Sequence, residues 1–325
     1  MEESIEAREL IVLGGLGVRI RGTYHKTYND IRGLQSQVGR RDRVGLLFLN
    51  GLAATRASTG DSAVHWADLF AKRGYPSFRI DLPGYGDSDG ESSNDLLEFI
   101  NRGGYASPAS AAIREIVARF NLSGVVIVGH CSGSVSAVYT AAASRECKGL
   151  VLLDPYFHLP QTAQPEVRRR LHFWAMQSRF GGFLSRIFDV LKEISLFLHG
   201  SVPNNTNFPL VRCWKALTST RLPILILKVP ARKGLGAKPR VGEFDFLKYI
   251  LGLASRKSQI TVHLAEGANH SFANNLGRLA VLQHIESWLS TFFPLIENQE
   301  APVNTSGLHS NENTCMTDRE KCLQS

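Results

Sequence analysis

The segment Val125-Val126-Ile127-Val128-Gly129-His130-Cys131-Ser132-Gly133 constrains this chain more than any other. Its four β-branched residues read as a strand buried on both faces. Val135-Ser136-Ala137-Val138-Tyr139 and the alanines beyond it suit a helix. A G-x-nucleophile-x-G pattern has mechanical meaning only at such a strand–turn–helix junction. Small residues at 129 and 133 let the backbone turn tightly while strand and helix stay close. The middle side chain is then forced out at the helix N-terminus, where free N–H groups favour an anion. Counted from the glycines, that residue is Cys131, a thiol where such a turn normally carries serine. Ser132 is the other candidate, but His130 and Ser134 would then flank the turn, and histidine brings a Cβ where none fits well. The plain alternative is a buried cysteine ending a core strand of a nucleotide-binding α/β protein.

With 325 residues, 43% of them hydrophobic, the chain can bury a large core as one α/β domain with an insertion. The net charge of +8 is spread out and forms no block of the nucleic-acid-binding kind. Five cysteines without regular spacing make neither a disulfide framework nor a zinc site, so a reducing compartment is expected and no metal. Met1-Glu2-Glu3-Ser4 is not the start of a secretory signal, and no apolar run reaches membrane-spanning length. These features predict a cytoplasmic protein with no transmembrane segment, no nucleic-acid partner and no cofactor. They leave its oligomeric state open.

Along the chain, residues 9–28 predict an opening hairpin and 29–42 a polar loop. Strands are expected at 44–49, 77–80, 125–128, 149–155, 223–229 and 260–264. Helices are expected at 62–73, with Val64, Leu69 and Phe70 on one side, at 107–120, and at about 274–291. Strands alternating with helices imply a mostly parallel, doubly wound sheet. Residues 156–220 break the alternation with Arg- and Phe-rich amphipathic stretches and are predicted to be a helical cap, leaving 1–155 and 221–296 as the core. Residues 297–325 are polar and predict a disordered tail.

This order of elements resembles the α/β-hydrolase fold over roughly residues 9–293. Three motifs carry the resemblance: Gly129–Gly133, Asp81-Leu82-Pro83-Gly84-Tyr85-Gly86-Asp87-Ser88, and Gly267-Ala268-Asn269-His270-Ser271-Phe272. More narrowly, the cysteine at the turn, Asn50-Gly51 with Arg56 beyond it, and Ala268-Asn269-His270-Ser271-Phe272 are similar to hydrolase-like proteins of bacterial exosortase and exopolysaccharide systems. The resemblance implies a base at His270. It also implies oxyanion donors in the backbone N–H groups of Ser132 and, just past Asn50-Gly51, Leu52.

A thiol attacks an acyl carbonyl only as thiolate and so needs a base in contact with it. His263 and His284 lie within a strand and a helix and read as structural, and His130 reads as packed behind the turn. The acid departs from the fold's usual pattern. Most relatives place Asp after the strand that here is Ile224–Lys228, whereas this chain continues Val229-Pro230-Ala231-Arg232-Lys233. Asp154, Glu243 and Asp245 remain as candidates, as does a Cys–His dyad with no acid. The cap's Phe157, Phe173, Trp174, Phe180, Phe183, Phe188 and Phe197, with Arg168-Arg169-Arg170, Arg179 and Arg186, would suit an acyl chain with an anionic or polar head, or a sugar-linked ester. The expected activity is hydrolysis of an ester or thioester of a small-molecule or acyl-bearing substrate, through an acyl-cysteine. Acyl transfer from the same intermediate and a non-catalytic binding scaffold are the alternatives.

Overall fold

The computed structural model describes residues 7–33, 43–52, 54–159, 202–203, 205–230, 244–255 and 258–295. The expected tail, Glu243, and every predicted cap aromatic except Phe157 lie outside them. Eight strands form one sheet: β1 (Arg8–Gly15), β2 (Val18–His25), β3 (Val44–Leu49), β4 (Ser77–Ile80), β5 (Gly124–His130), β6 (Cys147–Leu153), β7 (Pro223–Lys228) and β8 (Gln259–Leu264). Their spatial order is β1-β2-β4-β3-β5-β6-β7-β8. The opening hairpin pairs antiparallel, β2 joins β4 antiparallel, and every later pairing is parallel. This is the α/β-hydrolase architecture that the element order predicts.

The helices are α1 (Tyr28–Ile31), α2 (Ser62–Lys72), α3 (Leu96–Asn101), α4 (Ala106–Arg119), α5 (Ser132–Ala143), α6 (Phe208–Ser219), α7 (Phe246–Gly252) and α8 (Asn275–Phe292). Helical spacing puts Ala109, Ala112, Ile113 and Ile116 of α4 on one buried face. They share a core with α5, α6 and one side of the sheet. The other side is covered by α2 and α8 through Trp66, Phe70, Ile285 and Trp288. The buried stripe of α2 is Ala63, Trp66, Ala67 and Phe70, not the expected Val64-Leu69-Phe70 side, because small alanines let this helix sit close to the sheet.

Two ends of the expected cap belong instead to the core. Phe157 is buried against Trp214, with ring centroids 5.5 Å apart. Leu210, Val211, Trp214 and Leu217 of α6 face the same cluster. The amphipathic spacing of 208–219 therefore records packing on the sheet layer rather than on a lid. Both β5 and β6 are buried along nearly their whole length, as sequence-adjacent parallel strands at the centre of a sheet should be. Their carboxyl ends, next to the start of α5, are where such a fold presents its site.

Candidate active site

The turn from β5 into α5 is built by close approach. A Cβ on Gly133 would collide with the Leu49 carbonyl and stand 2.6 Å from the Asn50 carbonyl, so only glycine lets α5 start against the end of β3. Gly51 approaches from the other side, where a Cβ would lie 3.2 Å from the Cys131 Cβ. Cys131 itself is left-handed, with φ 54° and ψ −120°. That conformation costs a side-chain-bearing residue on the order of 1–3 kcal/mol and persists only where the surroundings impose it. Its amide donates to the Leu153 carbonyl at 3.0 Å, which ties the turn to the end of β6. Ser132 opens α5, so its N–H has no acceptor inside the helix.

Asp154 follows β6 directly and is also left-handed, with φ 48°. Its amide donates to the Leu227 carbonyl at 2.7 Å, holding it against β7. His270 follows β8, in a loop pinned by the Ala265 amide on the Lys228 carbonyl at 2.8 Å. Phe272, fully buried two residues later, anchors the other end of that loop. Asn274 then caps α8 by accepting from the Gly277 amide at 3.1 Å. The result is that His270 Nδ1 donates to Asp154 Oδ2 at 2.5 Å. Cys131 acts on the same imidazole and adds to the rise in its proton affinity.

Electrostatics follow from these contacts. The hydrogen bond with Asp154, then that with Cys131, outweighs partial burial and pushes the His270 imidazole up to about 10. Burial would raise the Asp154 carboxyl, but the His270 hydrogen bond and the Lys228 charge hold it below the ordinary carboxylate range. His130 is buried behind the turn, and its Nε2–H donates to the His270 backbone carbonyl at 2.7 Å. Burial lowers its imidazole.

The remaining sequence candidates fall elsewhere. Asp245 caps α7, accepting from the Lys248 amide at 2.9 Å. His263 and His284 stack on one another with ring centroids 4.5 Å apart. Leu52 follows Gly51 with its side chain exposed. Among the described residues, no group of three His, Cys, Asp or Glu side chains is placed to hold a metal ion. Likewise, no helix there is long and apolar enough to cross a membrane.

Sequence reasoning missed a buried polar chain behind the 50–61 loop. The Arg56 amide donates to Asp81 Oδ1 at 2.6 Å, and its guanidinium bonds the other oxygen of the same carboxylate. Arg79 donates to the Arg56 carbonyl at 2.9 Å and to His25 Nε2 at 2.7 Å, and His25 Nδ1 meets Asp68 at 2.7 Å. The signal was present as charged residues inside otherwise apolar strands, such as Arg79 in Ser77-Phe78-Arg79-Ile80.

Comparison with known proteins bears on the fold. Residues 45–189 match the family described as the alpha/beta hydrolase fold. The chain has the α/β-hydrolase fold. Solved structures of similar fold include DcsB in complex with its substrate analogue, with a TM-score of 0.56 and 16% identity, covering 88% of this chain and 99% of that one. The esterase PF2001 of Pyrococcus furiosus has a TM-score of 0.54 and 13% identity over 89% of this chain and 91% of its own. Dienelactone hydrolase from Anabaena variabilis has a TM-score of 0.54 and 13% identity, covering 89% of this chain and 100% of that one. No curated protein matched in sequence.

Proposed function

We propose that this protein hydrolyses an ester or thioester through an acyl group carried on Cys131, with His270 as base and Asp154 as its orienting acid. One observation carries the reading: the strained turn, the half-buried imidazole and the buried carboxylate converge, with His270 Nδ1 2.5 Å from Asp154 and Cys131 acting electrostatically on the same ring. The names of similar folds, an esterase and a dienelactone hydrolase, support the same reaction class.

The Cys131 thiolate attacks the acyl carbon, forming a C–S bond as the carbonyl π pair moves to oxygen. The backbone N–H groups of Ser132 and Leu52 stabilise that oxyanion. When the tetrahedral species collapses, the bond to the leaving group breaks and His270 supplies the departing atom with its proton. His270 then takes a proton from water, which attacks the acyl-thioester and releases the acid, restoring the thiolate. The acyl group is directed into a narrow cleft beside Gly51. Leu52, Ile80, Leu82, Ile100, Tyr85 and Tyr105 line it, which favours an apolar acyl group.

Intact-mass analysis after exposure to a panel of activated esters and thioesters tests the reading. Wild type should gain one acyl mass on Cys131 and lose it to water, while Cys131→Ala should gain none and keep its fold. Loss of the adduct only on adding amines or thiols would assign acyl transfer. An alanine variant that retained full turnover would remove Cys131 from the mechanism.

A further inference from the structure

Lys228 is the last residue of β7, the strand end at which most relatives of this fold carry the acid, and here it carries the opposite charge. Leu153 and Leu227 pair across β6 and β7, so Asp154 and Lys228 emerge side by side. The Lys228 Nζ hydrogen-bonds Asp154 Oδ1 while His270 Nδ1 occupies Oδ2 at 2.5 Å. One carboxylate, 9% exposed, thus bridges the Lys228 amine and the base.

We infer that Lys228 is a positioning residue that restrains the basicity of His270: by holding one oxygen of the Asp154 carboxylate it weakens the pull of that carboxylate on the imidazole proton and lets the ring release it within the catalytic cycle. This rests on the function proposed above and concerns how the same site is tuned. The argument starts from a conflict of requirements. His270 must hold a proton beside the Cys131 thiolate, yet give it to the leaving group and then accept one from water. A buried, unshared carboxylate would trap the proton on the imidazole. The titratable groups facing His270 are Asp154 and Cys131, which raise its proton affinity, and His130, a buried ring 5.5 Å away. Lys228 reaches it only through Asp154, whose carboxyl it holds down together with His270.

The geometry also predicts which effect wins when Lys228 is removed. The Asp154 backbone is fixed by its own hydrogen bond to Leu227, so the carboxylate keeps its place without the lysine and only the field changes. In Lys228→Met, the His270 midpoint, followed by NMR of the imidazole nitrogens in the substrate-free protein, should rise by about one unit. Iodoacetamide should modify Cys131 no more slowly than in wild type, whereas acyl turnover should fall about 10-fold, because a more basic imidazole is a weaker acid. Lys228→Arg should restore the wild-type midpoint and turnover. A purely structural lysine would lower thermal stability and slow both reactions together. An unchanged or lowered His270 midpoint in Lys228→Met, or an arginine variant that behaves like methionine, overturns the inference. The NMR measurement needs no substrate, so it stands or falls apart from the acyl-cysteine reading, which the Cys131→Ala mass experiment decides.

Discussion

At the level of single residues, the chemistry depends on how much a cysteine needs its acid. A serine nucleophile loses roughly 10⁴ in rate when the orienting carboxylate becomes an amide, because the histidine adopts the wrong tautomer. A thiol ionises far more readily, so it depends less on that support. Asp154→Asn should therefore cost only about 10–100-fold in turnover, measured with the ester that acylates fastest. The Asp245→Asn control should cost little, since Asp245 is occupied with the Lys248 amide. A loss as small as that of the control would show that Cys131 and His270 work without an acid. Sequence narrowed the acid to three carboxylates and favoured Asp154 for its place at the end of the preceding strand, but the contact with His270 depends on the register of β6 against β7 and not on either strand's own pattern. The role of Lys228 was hidden for the same reason. Its pairing is set by two strand ends 74 positions apart.

At the level of elements, the turn after β5 is the most exacting piece of the fold. Gly133 abuts backbone carbonyls of Leu49 and Asn50, atoms that cannot swing aside as a side-chain tip can. Gly133→Ala should destabilise the protein by about 1–3 kcal/mol, read by denaturant titration, and should abolish acylation of Cys131 by displacing α5. If acylation survived intact, the tight approach of α5 to β3 would be unnecessary for the site. This element was legible because its constraint is local: a buried β-branched run, two glycines and a helix-forming stretch stand in unbroken order. The helix α6 was not. Its apolar stripe looks the same whether it packs on a sheet or on a lid, and only the packing of Trp214 against Phe157 and the core decides. The short α3 also went unseen, since its six residues give too little periodicity to recognise.

At the level of the whole molecule, stability should depend on pH through a residue remote from Cys131. Arg79 donates to His25 Nε2, so that nitrogen must be an acceptor and Nδ1 must carry the proton given to Asp68. Protonating His25 would point an N–H at a guanidinium inside the fold. Burial first, and then the Arg79 charge, lower its imidazole to about 4. The unfolded chain binds that proton near pH 6.5, so between these values the unfolded state holds more protons and stability falls as pH is lowered through the window. The loss amounts to about 3 kcal/mol over the full range. Thermal melts from pH 7 to 4 should show it. His25→Gln, which can still accept from Arg79 and donate to Asp68, should reduce the slope. An unaltered slope would move its origin elsewhere. The strand order that frames this network also gives the catalytic end an evolutionary freedom. With the carboxylate supplied from the end of β6, the connection that leaves β7 no longer has to deliver one. Its length and composition can drift, or accept a grafted segment after Pro230, without disturbing the hydrogen bond between Asp154 and His270.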